Sequence, residues 1–486
     1  MRDPYPMKRE SRKVHSRWID IPLVNRKKVE QLIADIAPAA SRLGLRVFIV
    51  GGAVRDLMDG SVLADDWDLV VLDGERKHGK DGTLTGARQL AGELSVKWRW
   101  RDPVAFERFG TYFVFGPSGT VEISQGESRT GLQGLSDDPL VQDALSRDFT
   151  VNALYIPLSG SPKEIPVLDP TGQGFEDLAR KFLRTPVHAG LTVKDDPLRI
   201  LRAARFCSTG DYTVSPFFSR MAKELSISLS DVAPERVRDE MTKLLTGSTP
   251  SAGLKRLSGW GVFSVLMPEV QNMVGFRQRT PHHYPDLFRH TMRVVDRVKP
   301  DPILRWASLL HDCGKPSTRV EDGDVDRYFG HEAVGAQMAG SLLDRLRVGK
   351  NMTRDVTELI RLHMVQYSGE WSDRAVRRFI SRTRDHLPRL LDLLEADTRA
   401  LRLRSGKLRL LGELRDRVDR IITDMPDPGS PLDGNRIMEI LDLEPGPAVG
   451  SAKEALAEAS AEDRFPSQEG AAERYLIDWW KEKGSG

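Results

Sequence analysis

The stretch Phe48-Ile-Val-Gly-Gly-Ala-Val-Arg-Asp-Leu-Met-Asp-Gly60, with Asp66-Trp67-Asp68 shortly after it, decides how this chain is read. An apolar run ends in two glycines and passes into a helical pattern. A strand therefore turns through Gly51 and Gly52, where small residues let backbone N–H groups approach a phosphate. Arg55 adds a fixed cationic fork for the same kind of group. Asp66 and Asp68 stand at the start of the next apolar run, which ends at Leu72. Side chains alternate along a strand with period two, so both carboxylates face one way. Left alone they repel. Magnesium, which binds through carboxylates plus substrate phosphates, relieves that repulsion.

Working outward, residues 46–50 and 68–72 read as strands, and TYFVF and TVEIS give two more around the turn at Gly116-Pro117-Ser118-Gly119. Glu122, in TVEIS, offers a third carboxylate as metal ligand or proton acceptor. A helix is expected over Asn25–Leu43, and the first 24 residues, charged and without apolar periodicity, read as a flexible arm. Helical periodicity takes over at Asp196–Cys207 and Pro234–Leu245 and dominates beyond Leu287. The fold expected is α+β: an α/β head over 25–158, a helical neck and body over 159–270, a helical domain over 271–425 and a helical tail over 426–486.

The chain has 486 residues, 40% hydrophobic and 29% charged, with 72 basic against 70 acidic residues. Such a composition describes a globular protein of several domains rather than a disordered one. Near-neutral charge says nothing about partners. The two cysteines, Cys207 and Cys313, form neither a disulfide framework nor a CxxC pair. No signal peptide and no stretch of about 18 apolar residues occurs. A cytoplasmic protein that spans no membrane is expected, of unknown oligomeric state.

Glycine pair, arginine and D-x-D in this order resemble the nucleotidyltransferase superfamily that includes DNA polymerase β, and later motifs narrow the resemblance to the class II tRNA nucleotidyltransferases, the family of CCA-adding enzymes and poly(A) polymerases. SRDFTVNAL (Ser146–Leu154) resembles the family motif that contacts the incoming ribose, implying that role for Arg147 and Asp148. Ser146 stands where the family has an arginine. LDPTGQGFEDLARKFLR (Leu168–Arg184) is similar to the family's hinge between head and neck. In KDDPLRILRAARF, Asp196 reads as an N-cap with Pro197 at the first helical position and Arg199 one turn on. An aspartate offers only acceptors and an arginine only donors, so the two can match the Watson–Crick edge of cytosine or adenine without a template base. The resemblance implies this use of Asp196 and Arg199. It also implies that Asp195 shapes the pocket, that Arg202 and Arg205 complete the nucleotide site, and that ERVRDEMTKLL (Glu235–Leu245) braces it.

Six of the ten histidines (282, 283, 290, 311, 331 and 363) fall in one helical stretch. His290, His311-Asp312 and Asp397 follow the H…HD…D pattern of HD-superfamily phosphohydrolases, a ligand set suited to Mn, Fe, Co or Ni, with Mg also open. Lys315 would stabilise phosphate charge, while His331 and His363 would complete a second metal site or orient a phosphate. Residues 341–410 carry 16 Lys and Arg against 9 Asp and Glu, a surface suited to RNA phosphates.

These readings imply template-independent addition of CCA to the tRNA 3′ end from CTP and ATP, with Mg²⁺ on Asp66 and Asp68, and an HD domain able to hydrolyse phosphoesters. Poly(A) polymerase and CC- or A-only addition remain open. So does an HD phosphohydrolase with a non-catalytic, RNA-binding head.

Overall fold

A computed structural model of the chain describes residues 14–19, 23–61, 63, 65–72, 85–99, 102–106, 110–117, 119–126, 136–158, 165–279, 286–401, 406–424, 430–461, 464–465 and 470–484. Ser118, His282 and His283 lie outside them. The chain divides into two units, Met1–Val232 with Gly259–Val265, and Ala233–Ser258 with Leu266–Gly486. The stretch 159–270, expected as one neck and body, is shared between the two.

The first unit is built on an eight-stranded sheet: β1 (His15–Ile19), β2 (Arg46–Val50), β3 (Asp66–Leu72), β4 (Val104–Phe106), β5 (Thr111–Gly116), β6 (Gly119–Gln125), β7 (Tyr155–Pro157) and β8 (Ile165–Asp169), in the order β1-β8-β7-β2-β3-β6-β5-β4. Among the described strands of this sheet, β3 and β6 form the one parallel pair. Residues 15–19, expected within a flexible arm, correct that expectation. They pair antiparallel with β8, from His15↔Asp169 to Ile19↔Ile165, because β8 leaves a row of backbone groups that an extended segment can satisfy.

The described helices of this unit include α1 (Leu23–Arg42), α2 (Gly52–Met58), α3 (Gly86–Lys97), α4 (Pro139–Ser146), α5 (Gly174–Ala179), α6 (Ala189–Asp195), α7 (Arg199–Thr209) and α8 (Pro216–Glu224). One face of the sheet packs Phe48, Val50, Val70 and Leu72 against Leu140 and Ala144 of α4. The expected hinge is a tied turn: the buried Asp169 carboxylate accepts from Thr171 N, Thr171 Oγ1, Gly172 N and Phe175 N. Asp177 receives Thr150 Oγ1 at 2.6 Å and Arg184 Nη2 at 3.0 Å.

The second unit is almost wholly helical. Leu287–Arg297 and Pro302–Leu310 are capped by Asp286 and Asp301, and His331–Arg345, Lys350–Leu362 and Leu387–Ala400 complete its centre. The helix Pro234–Leu245, read from sequence as a brace of the nucleotide site, belongs to this unit; Trp306 Nε1 donates to its Thr242 at 3.1 Å. The tail helices Gly434–Leu441, Pro447–Ala461 and Ala471–Gly484 share a core of Ile437, Leu456 and Leu476. No described helix is long and apolar enough to cross a membrane.

A hairpin that helical periodicity did not announce, Arg319–Asp322 with Val325–Tyr328, buries Asp326. Its carboxylate accepts from Arg279 N and Nε, Arg319 Nη2 and Tyr328 OH. Burial alone would raise its pKa, but these donors outweigh that and hold it at about 2. The folded value lies below the ordinary ~3.9 of an unfolded Asp, so the stabilisation is full above about pH 5 and lost as pH falls towards about 2. With both arginines partly exposed, Asp326→Asn is expected to cost about 1–3 kcal/mol at pH 7. In urea titrations the gap between the two proteins should narrow below about pH 4; a gap independent of pH would refute this account.

Candidate nucleotidyl-transfer and metal sites

At the head site the backbone comes first. β2 delivers the chain to Gly51, whose φ of 75° an L side chain rarely adopts. A β-carbon there would stand 2.8 Å from Asp68 Oδ2. Val50 is paired with Asp68 across β2 and β3, which brings turn and carboxylate together. Asp66 and Asp68 lie on one face of β3 and are exposed at the strand's start, while Trp67, between them, is buried. The parallel register sets Asp68 against Glu122, which puts Glu122 on the same face. The expected three carboxylates are thus gathered.

Cations surround them. Surrounding protein strips water from the Asp68 carboxyl and raises its pKa, as does Asp66; Arg147, Arg202 and Arg55 pull the other way. Asp68 nonetheless remains accessible to solvent. Each arginine is held by its own partners. Arg55 Nη1 donates to Asn152 Oδ1 at 3.0 Å, and its guanidinium lies 5.1 Å from the Phe206 ring centre. Arg147 donates twice to Asp143 Oδ2, at 3.0 and 2.9 Å, and the same oxygen accepts Tyr155 OH at 2.6 Å. Arg202 pairs with Asp148, which also accepts from Asn152 Nδ2 and Phe149 N. Burial would raise Asp148, but Arg202, Asn152 and Arg199 outweigh it and hold its carboxyl well below the usual range. Sequence reasoning missed Asp143, Tyr155 and Asn152. Their signal was their place beside Arg147 and Asp148, which motif reading passed over.

The segment expected to choose the nucleotide departs from its reading in detail. Asp196 ends α6, and its Oδ1 accepts from Leu198 N at 3.2 Å, so α7 opens at Arg199 and Pro197 precedes the helix rather than occupying its first position. The close succession of two short helices replaces a single N-cap with this turn. Arg199 is buried. It donates to Ser146 O at 2.7 Å and Thr192 O at 3.3 Å and lies 3.2 Å from Asp195. Arg205 covers the Phe206 ring at 5.1 Å.

The second unit gathers the histidines. The Nδ1 atoms of His311, His331 and His363 each face the carbonyl three residues earlier, Ser308 O, Tyr328 O and Ile360 O, at 2.9, 2.8 and 2.6 Å. If Nδ1 carries the proton, the three Nε2 lone pairs point inward. The Asp312 carboxylate lies among the imidazoles: Oδ2 is 3.2 Å from His311 and 3.8 Å from His290, Oδ1 3.5 Å from His331 and 3.7 Å from His363. His290 Nε2 is 3.0 Å from Asp397 Oδ1. His311 Nε2, His331 Nε2 and Asp397 Oδ1 are buried without a well-formed hydrogen bond. Unsatisfied buried donor atoms around a carboxylate are what a divalent cation would relieve. The groups His290/His311/Asp312 and Asp312/His331/His363 are each compact enough to hold one. Gly314 permits the assembly, because a β-carbon there would meet His331 O at 2.2 Å. Lys315 Nζ donates to Asp312 at 2.8 Å.

Fold and site define a nucleotidyltransferase of the polymerase β type joined to an HD-type metal domain. Residues 47–184 match the family described as "Poly A polymerase head domain", 212–273 the "Probable RNA and SrmB-binding site of polymerase A" and 288–424 the "HD domain". The chain is 33% identical over 456 residues to an A-adding tRNA nucleotidyltransferase of Deinococcus radiodurans, covering 90% of this chain and 96% of that one. It is 34% identical over 445 residues to a CC-adding tRNA nucleotidyltransferase of Thermus thermophilus, covering 89% and 93%. A multifunctional CCA protein of Paracidovorax citrulli is 31% identical over 349 residues, 70% of this chain and 78% of that one. In fold the chain resembles the Bacillus stearothermophilus CCA-adding enzyme solved with CTP, at a TM-score of 0.60 and 18% identity over 94% of this chain and 99% of that one. The chain belongs to the family of tRNA nucleotidyltransferases and poly(A) polymerases, and it is an enzyme of nucleotidyl transfer.

Gly51→Ala is expected to reduce nucleotide incorporation at least as much as loss of a carboxylate. The strained backbone costs about 1–3 kcal/mol, and the new methyl displaces Asp68. The circular dichroism spectrum should be unchanged; full activity with alanine at 51 would show that the contact does not matter.

Proposed function

We propose that this enzyme builds the CCA end of tRNA, the RNA 3′-hydroxyl attacking the α-phosphate of CTP or ATP. The O3′–Pα bond forms as the bond to the β-phosphate breaks, pyrophosphate leaves, and the hydroxyl proton passes to solvent or to Glu122. One observation carries the reading: Asp66, Asp68 and Glu122 share one face beside the Gly51 turn, with the charges of Arg55, Arg147 and Arg202 acting on the Asp68 carboxyl against the rise that burial causes. The missing β-carbon at 51 and the raised Asp68 carboxyl fit a divalent cation, for which Asp66 and Asp68 would be the ligands. Mg²⁺ bound there supplies charge for the attacking oxygen and for the leaving pyrophosphate. Gly51, Gly52 and Arg55 hold the triphosphate, and Arg147 and Asp148 the ribose. Asp196 and Arg199 read the base edge, Asp195 shapes the pocket and Arg202 and Arg205 close it. Anchored on Ser146 O, Arg199 would present a preformed donor fork. On the helix Asp373–Thr383, Arg374, Arg378 and Arg382 are exposed at i, i+4 and i+8, a spacing suited to RNA phosphates.

A second reading, addition of CC or of A alone, is favoured by the near-full-length likeness to one A-adding and one CC-adding enzyme. The HD site we read as a phosphohydrolase. His290, His311, Asp312 and Asp397 would hold one ion, and His331 and His363 a second sharing Asp312, with Ni, Mn, Co, Fe or Mg as candidates. Such ions supply Lewis acidity to a phosphoester. Lys315 neutralises phosphate charge while water adds to phosphorus and the alcohol leaves with a proton. Neither cysteine forms a disulfide and both are buried, and we place the enzyme in the cytoplasm.

Labelled CTP and ATP, alone and together, on tRNA ending at the discriminator base test the first reading. Two C and one A, lost in Asp66→Ala and Asp68→Ala, are expected. CC or A alone gives the second reading, and an open-ended A ladder a poly(A) polymerase. No incorporation with retained phosphoester hydrolysis leaves an HD enzyme with a non-catalytic head. For the HD site, dialysed protein should retain transition metal, and His311→Ala should lose most of it; equal metal content in both would remove His311 from the ligand set.

A further inference from the structure

The Arg55 guanidinium is seated from three directions. A β-carbon on Gly52 would stand 3.6 Å from Arg55 Nη2, so the fork lies across the glycine turn itself. Arg55 Nε and Nη2 donate to Asp56 Oδ1 at 3.0 and 2.9 Å, and Nη1 donates to Asn152 Oδ1 at 3.0 Å. A guanidinium carries five N–H donors, so among the described residues two are left for a ligand, and the side chain is 20% exposed. The third side is the Phe206 ring, its centre 5.1 Å from the guanidinium carbon, within the reach of a cation–π contact.

That ring is fixed by what packs on it. Phe206 is 2% exposed and makes T-shaped contacts with Phe149 at 5.7 Å and Tyr212 at 5.2 Å. Gly210 leaves room for the second of these, because a β-carbon there would meet the Tyr212 ring at 2.8 Å. Phe206 belongs to α7, on which Arg199, Arg202 and Phe206 fall at i, i+3 and i+7, one face of the helix. The same helix reaches Arg55 by a second route: Arg202 donates to Asp148, Asp148 accepts from Asn152, and Asn152 accepts from Arg55. A packing role alone would be served by any apolar group of similar bulk, whereas a cation needs a π-face.

We propose that Phe206 is a positioning residue for nucleotidyl transfer: its ring face seats the Arg55 guanidinium, so that the helix presenting Arg199 to the base also sets the fork that meets the phosphates. The inference rests on the reading of Arg55 as a triphosphate contact. What Phe206 contributes passes wholly through Arg55.

Phe206→Leu keeps an apolar side chain and removes the π-face. It should raise the KM of each nucleotide the enzyme incorporates by about 2- to 30-fold, by one factor for all of them, with kcat and the KM of tRNA within about 2-fold. In an Arg55→Met background the same change should have no further effect. Additive losses in that cycle, a loss for one base and not another, or no loss at all overturns the proposal. Phenylalanine bearing one, two or three ring fluorines at position 206 drains charge from the π-face with little change of shape, and it decides the matter if the leucine variant fails to fold. The nucleotide KM should climb with each fluorine; a flat series overturns the seat. If the unaltered enzyme incorporates no nucleotide, the head reading fails by itself. Calorimetric binding of methylenediphosphonate, a pyrophosphate analogue that resists hydrolysis, then decides the seat, because the histidine site is the same in every variant. Weaker binding by the Phe206 variants supports it, and equal affinity overturns it.

Discussion

Residue 51 has room for hydrogen and nothing larger, since the nearest oxygen of Asp68 would lie 2.8 Å from a β-carbon placed there. That contact makes the turn and the carboxylate a single object. The left-handed φ of the turn suits glycine, and the carboxylate can sit so near residue 51 only because glycine leaves the space. β2, β3 and β6 hold their register around it, with Val50 against Asp68 and Asp68 against Glu122. A slip of one residue on β3 would turn Trp67 outward and both acids into the core, so the buried indole secures the register on which the acid cluster depends.

The head spends its carboxylates in two ways. Asp143 and Asp148 are buried against Arg147 and Arg202, and their charges are matched within the protein. Asp68 feels the same arginines electrostatically, and its pKa moves up where that of Asp148 moves down. Carboxylates of one type pushed in opposite directions mark different tasks. Asp143 and Asp148 hold arginines in place, and the Asp68 carboxylate is the one that a bound cation would stabilise. Tyr155 belongs to the holding network, because its hydroxyl and Arg147 share one oxygen of Asp143.

Much of this was legible in the sequence wherever one residue type permits one geometry. The glycine pair, the D-x-D alternation, the strands at 46–50 and 111–115 and the helix Pro234–Leu245 follow from period and turn chemistry. Less legible were elements whose formation depends on a distant partner. β1 exists because β8 offers an edge, and residues 15–19 show no alternation of burial by which it could be recognised. The hairpin at 319–328 is held by Asp326, Arg279 and Arg319, a pairing that local pattern does not reveal. In the candidate site, motif order located Arg199 but not its burial. The carbonyls it meets, Ser146 O and Thr192 O, come from separate segments brought together by tertiary packing.

The histidine cluster illustrates how far local backbone geometry goes towards a metal site. An imidazole that donates Nδ1–H to a carbonyl three residues earlier has its tautomer and ring plane set by its own turn of chain. Three of the histidines set Nδ1 against such a carbonyl, so with the proton on Nδ1 three Nε2 atoms are aimed before any ion arrives. What the local turns do not provide is a common target, and that is Asp312. Its two oxygens look towards different imidazole pairs. A carboxylate in that position links the pairs, so a change at Asp312 would act on both groups at once, whereas a change at His331 or His363 would act on one. Gly314 is part of the same logic: the turn carrying Asp312 approaches the start of the helix of His331 closely enough to exclude a β-carbon. That approach is what brings the two imidazole pairs within reach of one residue.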